Sequence, residues 1–278
     1  MQYNLNEVLA SARKTLSQAG VPGTRDAEFL LEKVLGRKYV TNIDNSLNEE
    51  QYLVFQDLIR RRANREPMDS IYGYTEFLGL KILFSPHTLS PRQETEIMTD
   101  EIIADNRNRP NLRVLDMCSG SGCIGLALSK HLNADVTLVD ISEDAIKMSE
   151  KNASINDTRV NFVNSDMFES VQGKFDIIVS NPPYLTTADL SNLEIEVSKY
   201  DPELALDGGE DGLDFYRKLS AQMSEYLVDG GLVYLEFGIY QAEDIVKLLE
   251  PYFEDIIVKK DYSGIDRYLK ARKRVYVK

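Results

Sequence analysis

The stretch Phe175-Asp176-Ile177-Ile178-Val179-Ser180-Asn181-Pro182-Pro183-Tyr184 decides the fold. Its first half is apolar and β-branched, the pattern of a strand buried inside a parallel sheet. The run stops at Asn-Pro-Pro-Tyr. Proline has no N–H and a fixed φ, so two in succession end a ladder and stiffen the chain beyond it. Pro182 also biases Asn181 toward extended backbone. A rigid bracket at the carboxyl end of a central strand stands where open α/β sheets bind their ligands. It offers the amide side chain of Asn181, the backbone carbonyl of Pro182 and the aromatic face of Tyr184, groups suited to holding a planar NH2.

Around this stretch the chain alternates strand and helix. Strands are expected near residues 113–116, 136–140, 160–163, 175–180 and 232–237, with two more at 256–260 and 267–273. Helices are expected after the first two strands and from about 212 to 227. Such alternation predicts an α/β, Rossmann-like parallel sheet with crossover helices. Residues 1–67 read instead as a helical bundle that serves as a docking domain. Leu5, Val8, Leu9 and Leu16 begin an amphipathic pattern, Thr24 is placed to cap a second helix that stops at Gly36, and a third runs from about 48 to 64. Arg60, Arg61, Arg62 and Arg65 make its end basic, which reads either as a solvated face or as a partner contact. Residues 68–90 are expected to form a hairpin linker, with short strands at 71–74 and 77–84. The remainder, 91–278, is the sheet domain.

Glycines follow the first strand of the sheet. Gly120-Ser121-Gly122-Cys123-Ile124-Gly125 matches G-x-G-x-x-G, and Asp140 lies twenty residues beyond Gly120, as in a dinucleotide site. That pattern alone supports an NAD-dependent oxidoreductase. Two features favour S-adenosylmethionine instead. Asp116, just before the loop, would repel a pyrophosphate but suits the ammonium of an amino-acid moiety. Acidic residues also recur at three successive strand ends, Asp116, Asp140 and Asp166. Gly120 and Gly122 let backbone approach the cofactor, Asp140 suits the ribose hydroxyls, Asp166 suits the adenine amino group, and Met167 or Phe168 is placed to pack on the adenine. Any single one of these aspartates also reads as a helix N-cap.

Composition narrows the classes. The 278 residues include 32 Lys+Arg and 45 Asp+Glu, a net charge of −13, whereas a protein that coats nucleic acid is expected to be basic. A hydrophobic fraction of 43% supports a real core. Cys118 and Cys123 lack supporting ligands, so no metal site is expected. Few cysteines, no signal peptide and no long apolar span predict a soluble cytoplasmic protein without membrane contact.

With these residues in view, the chain resembles class I S-adenosylmethionine-dependent methyltransferases and, more closely, the HemK/PrmC family of release factor glutamine methyltransferases. The resemblance spans nearly the whole chain. It is carried by Gly79-Leu80, Pro91-Arg92-Gln93-Glu94-Thr95-Glu96, Asp116 through Gly122, Val139-Asp140-Ile141-Ser142, the stretch from Phe175 to Tyr184, Asp207-Gly208-Gly209-Glu210-Asp211-Gly212-Leu213, Glu236-Phe237-Gly238 and Gly264-Ile265-Asp266-Arg267. Adenine and guanine amino-methyltransferases share Asn-Pro-Pro-Tyr, so that motif alone leaves them as an alternative. The resemblance implies methylation of a glutamine side-chain nitrogen in the Gly-Gly-Gln motif of peptide-chain release factors. It implies a cofactor site at Asp116, Cys118, Ser119, Gly120, Ser121, Gly122, Asp140, Asp166, Met167 and Asn181. Asn181, Pro182, Pro183 and Tyr184 are implied in catalysis, and the same four with Arg92 and Glu94 in substrate binding. Family members often carry Pro at the position of Gln93, an aromatic residue at that of Met167 and Gly at that of Cys118. The cysteine implies that its position does not need a positive φ or that the loop adjusts. Glu236 and Gln241 match the family pattern without an evident role in the sequence.

Overall fold

In the computed structural model, residues 1–36, 38 and 46–275 are described, and the parts of the expected helical bundle at 37 and 39–45 lie outside that set. Two units are distinguished: Met1–Gly73 with Ile195–Tyr200, and Tyr74–Glu194 with Asp201–Lys278.

The first unit contains β1 (Tyr3–Asn4), α1 (Leu5–Gln18), α2 (Gly23–Leu35), β2 (Ser46–Leu47), α3 (Glu49–Ala63) and α4 (Met68–Tyr72). The Asn4 side chain caps α1 by accepting from the N–H groups of Asn6 and Glu7. Leu5, Val8, Leu9, Ala12 and Leu16 then fall on one face and are buried. Helix α2 starts before Thr24, with Pro22 at its N-cap position. A Cβ on Gly23 would lie 2.5 Å from the Arg13 carbonyl, so α2 begins in close contact with α1. Asn48 and Gln51 form a capping box at the start of α3, and Gly36 ends α2 at φ 64.

Two expectations change here. Of the strand expected at 71–74, Ile71 and Tyr72 belong instead to the helix Met68–Tyr72, which Gly73 ends at φ 81, and only Tyr74 is in a strand. Only Ile71 of that segment is buried, so one apolar contact suffices where a strand would need an alternating face. The basic end of α3 also turns inward. Arg62 is buried and pairs with Asp26 at 2.7 Å, while Arg65 Nε lies 2.7 Å from Glu196 of the inserted segment, whose one helical turn is α8 (Ile195–Ser198). Arg60 is the exposed member and pairs with Asp57.

The second unit opens with the hairpin β3 (Tyr74–Phe77) and β4 (Leu80–Leu83), whose two turn residues, Leu78 and Gly79, both have positive φ. Next come α5 (Gln93–Asn106), β5 (Leu112–Met117), α6 (Cys123–His131), β6 (Ala134–Asp140), α7 (Glu143–Ile155), β7 (Asn161–Asn164) and β8 (Phe175–Ser180). After α8, the chain continues with α9 (Asp214–Tyr226), β9 (Leu227–Glu236), α10 (Ala242–Leu249), β10 (Phe253–Lys260) and β11 (Asp266–Lys273). The seven-stranded sheet runs β10-β11-β9-β8-β5-β6-β7. Its five strands from β9 to β7 are parallel, and β11 and β10 are antiparallel additions. From β5 the chain moves outward to β7, then returns to the other side of β5 as β8. The reversal puts the topological switch between β5 and β8, where their carboxyl ends leave a crevice.

Candidate active site

A cavity of about 180 Å³ lies along the carboxyl ends of β5, β6 and β8. Of the expected cofactor residues, Cys118, Gly120, Asp140, Asp166, Met167 and Asn181 line it, and Asp116, Ser119, Ser121 and Gly122 do not. His87, Thr88 and Leu89 close one side, and Leu204, Ala205, Phe215 and Lys218 another. Sequence reasoning missed these; the only signal was that 87–89 directly precede the junction at 90–96.

The loop after β5 is shaped by two carboxylates. Asp116 is fully buried and its Oδ2 accepts the Gly125 N–H at 2.8 Å, while Oδ1 has no hydrogen-bond partner among the described residues. Burial pushes this carboxyl up to about 7. Asp140 accepts the Gly120 N–H on one oxygen at 2.8 Å and the Ser142 N–H on the other at 2.9 Å. Burial raises its pKa, and those backbone donors oppose the rise. The glycines divide their work. Gly120 has φ 53 and open space where a Cβ would stand, beside the cavity. A Cβ on Gly122 would lie 2.8 Å from Ser149 Cβ, and one on Gly125 would lie 2.1 Å from Leu138 Cδ2. Those two glycines serve the packing of the loop and α6 rather than access to a ligand.

Cys118 corrects the expectation drawn from its departure from Gly. It adopts φ 59, so the position does take a left-handed backbone, and the cysteine bears that strain. Phe168 is also withdrawn from the ligand. It is buried and stacks on Tyr226 with ring centroids 4.5 Å apart, leaving Met167 to face the cavity.

The Asn-Pro-Pro-Tyr bracket leaves β8 in register with its neighbours: Ser180 pairs with Met117 of β5 and with Leu235 of β9. The Asn181 Nδ2 donates to Thr95 Oγ1 at 3.2 Å, which turns its Oδ1 the other way. Among the described residues no donor reaches Asn181 Oδ1 or the Pro182 carbonyl. Beyond Tyr184 the chain is zipped to the Gly-Gly segment: Leu185 N–H donates to Leu206, and Gly208 N–H donates to Leu185. A Cβ on Gly208 would come within 2.8 Å of Tyr184 Cα, and one on Gly238 within 3.0 Å of its ring. Gln241, without a role in the sequence reading, accepts the Gly238 N–H and donates to the carbonyls of Tyr184 and Gly212. Burial pushes the Tyr184 phenol up to about 12, so it stays neutral and its ring serves as a surface. Arg92 lies outside the cavity and pairs with Asp201 at 2.6 Å; Glu94 is half-buried near Glu236.

Residues 7–73 match the model of the PrmC N-terminal domain, and residues 92–196 match that of the methyltransferase small domain. The release factor glutamine methyltransferase of Geobacter sulfurreducens is 41% identical, with 97% of each chain covered. The chain belongs to the release factor glutamine methyltransferase family. Its relative of the same description in Agrobacterium fabrum is 38% identical over 95% of this chain and 96% of its own. A crystal structure of a Pyrococcus furiosus methyltransferase shares the fold, with a TM-score of 0.56 at 21% identity, covering 78% of this chain and 99% of its own.

For a member of this methyltransferase family, the site is chemically apt for S-adenosylmethionine. Asp116 Oδ1 and Ser119 Oγ, in the loop beside the cavity though not in its lining, are buried without a hydrogen-bond partner among the described residues. Asp140 and Asp166 supply acceptors on the cavity wall, and Val139, Ile141, Met167, Leu204 and Phe215 supply apolar surface. Among the described residues no helix is long and apolar enough to cross a membrane, and no His/Cys/Asp/Glu group is arranged to hold a metal.

Proposed function

We propose that this chain transfers a methyl group from S-adenosylmethionine to the side-chain nitrogen of a glutamine in a peptide-chain release factor, at the Gly-Gly-Gln motif, and that it does so in the cytoplasm. The reading is supported by family membership together with one observation: Asn181 lines the cavity, and among the described residues neither its Oδ1 nor the adjoining Pro182 carbonyl receives a donor.

A carboxamide nitrogen is a weak nucleophile because its lone pair is shared with the carbonyl. The bound cofactor supplies an electrophilic methyl, so the task left to the protein is positioning, which can be worth roughly 7–11 kcal/mol. In this reading Asn181 Oδ1 accepts one amide proton and the Pro182 carbonyl the other. Accepting both fixes the plane of the NH2 and leaves electron density on nitrogen. Pro183 keeps the bracket stiff, and Tyr184 packs on the amide plane. A glutamate side chain brings no such protons, and sites built for a hydrogen-bonding group reject analogues lacking it by about 10⁴–10⁵. Asp116, Ser119, Gly120 and Asp140 hold the cofactor, with Asp166 and Met167 at its adenine end. Arg92 and Glu94 act on the substrate side, Arg92 through the segment around Asp201 with which it pairs.

The decisive experiment is incubation with labelled S-adenosylmethionine, a purified release factor and the Gln→Ala variant of its Gly-Gly-Gln motif. Label is expected on the native factor alone, and equal label on both would overturn the glutamine assignment. Asn181→Ala should lower turnover far more than cofactor binding.

A further inference from the structure

Among the described residues, one buried carboxyl at the site has no role in the mechanism above. Glu236 ends β9, and because Ser180 pairs with Leu235, Asn181 and Glu236 leave neighbouring parallel strands side by side. Glu236 is 2% exposed, and its Oε2 has no hydrogen-bond partner among the described residues. The nearby side chains of Thr95 and Asn181 favour its ionised form. Thr95 is itself buried in the first turn of α5 and receives the Asn181 Nδ2–H at 3.2 Å. The NH2 of Asn181 therefore faces the Thr95 hydroxyl with the Glu236 carboxyl close by, and its oxygen is turned away from that hydroxyl.

Building on the glutamine reading above, we propose that Glu236 is a positioning residue for methyl transfer: acting through Asn181 and the Thr95 hydroxyl, its carboxylate locks the Asn181 carboxamide with Oδ1 toward the substrate and makes that oxygen a stronger acceptor. An anion beside the NH2 end of an amide draws positive charge there and leaves more negative charge on the oxygen. The substrate N–H becomes more acidic as its nitrogen forms the new bond, so a stronger acceptor helps more in the transition state than in the ground state. The contribution should appear in kcat rather than in KM.

The surroundings make the carboxylate costly, as expected of a group retained for such work. Burial pushes Glu236 up to about 7, and Glu94 on α5 adds to the rise. Thr95, Asn181 and Arg267 at the start of β11 oppose it, although Arg267 is already paired with Asp261 at 2.9 Å. Tyr184 and Tyr216, which also face it, stay neutral, as does the Cys123 thiol. The active form is the carboxylate, so kcat at saturating cofactor rises as pH increases through about 7.

The test compares wild type with Glu236→Gln. The variant is expected to lose kcat by on the order of 10- to 100-fold, the range seen when an outer hydrogen-bond partner of a working side chain is removed. Cofactor affinity and melting temperature should hold, the rise of kcat with pH should vanish, and Glu236→Asp should recover part of the rate. A second readout needs no turnover and no variant protein at Glu236: the side-chain amide nitrogen resonance of Asn181 in the free wild-type chain should titrate with a midpoint near 7. Unaltered kcat and pH profile in Glu236→Gln, or an Asn181 resonance indifferent to pH, would overturn the proposal. Absence of glutamine methylation by wild type would instead overturn the function on which it builds.

Discussion

The Gln241 side chain donates from Nε2 to the Tyr184 carbonyl at 2.9 Å, joining the segment after β9 to the bracket after β8. The same amide reaches the Gly212 carbonyl and accepts from Gly238, so three chain segments meet at one side chain. Gln241→Ala would leave these backbone groups short of a partner, at about 1–3 kcal/mol for each one that stays buried. Turnover on the release factor is expected to fall by about 10-fold or more, since small misplacements of reacting groups can cost about 10². Cofactor affinity, read by calorimetry, should change much less.

Gly212 and Gly264 both hold a left-handed backbone, at φ 73 and φ 79, but differ in surroundings. A Cβ at 212 would lie 2.4 Å from the Tyr184 carbonyl, and one at 264 would meet nothing within 4 Å. Both alanine variants should lose about 1–2 kcal/mol from backbone strain. Only Gly212→Ala should also lower kcat, because only there must the bracket move. Equal kcat in the two variants would contradict the clamp.

Asp140→Ala removes the acceptor for both the Gly120 and Ser142 N–H groups. Hydrogen bonds to charged groups are worth about 1.5–3 kcal/mol, so cofactor affinity should fall by roughly 10- to 100-fold. Titration calorimetry on the variant would read this loss directly, with Asn181→Ala as the comparison that loses less affinity than turnover.

Asp116 and Glu236 are both raised to about 7 from ordinary carboxylate values of 3.8 and 4.5. A raised carboxyl binds protons more tightly in the folded state. Its stabilising effect is complete below the unfolded pKa and disappears as pH climbs through the folded one. The unliganded protein should therefore lose stability between about pH 4 and pH 7, by on the order of a few kcal/mol for the pair. Asp116→Asn should flatten part of that slope in denaturant titrations. Because Asp116 is near its midpoint at neutral pH, binding a cationic amine there should also release protons, measurable by calorimetry in buffers of different ionisation enthalpy.

Asp26 and Arg62 form a buried pair at 2.7 Å, whereas Asp57 and Arg60 form an exposed one. Removing one partner of a buried pair costs about 3–5 kcal/mol, and exposed pairs contribute about 0–1 kcal/mol. Asp26→Ala should lower the unfolding midpoint clearly, and Asp57→Ala should leave it almost unchanged. Comparable effects would mean that the inward turn of Arg62 carries no weight.

The amino-acid sequence by itself determined the features that obey local rules. An apolar run cut by two prolines declares a buried strand and its rigid exit. Strand and helix periods in alternation declare a parallel sheet, and a glycine-rich run after the first of its strands declares a tight turn into a helix. Backbone sterics and hydrophobic spacing act over a few residues, so they can be read from a few residues. Tertiary structure alone decided what depends on neighbours distant in the chain. Asn181 and Thr95 meet across 86 positions, and Gln241 and Tyr184 across 57, and no local pattern announces either. The same holds for Cys118, whose left-handed backbone is imposed by the loop around it, and for Phe168, drawn into the core by Tyr226. Residues 71–72 and the arginines of α3 went against expectation for one reason: composition specifies which side chains can be buried, but the partner that buries them exists only once the chain has folded.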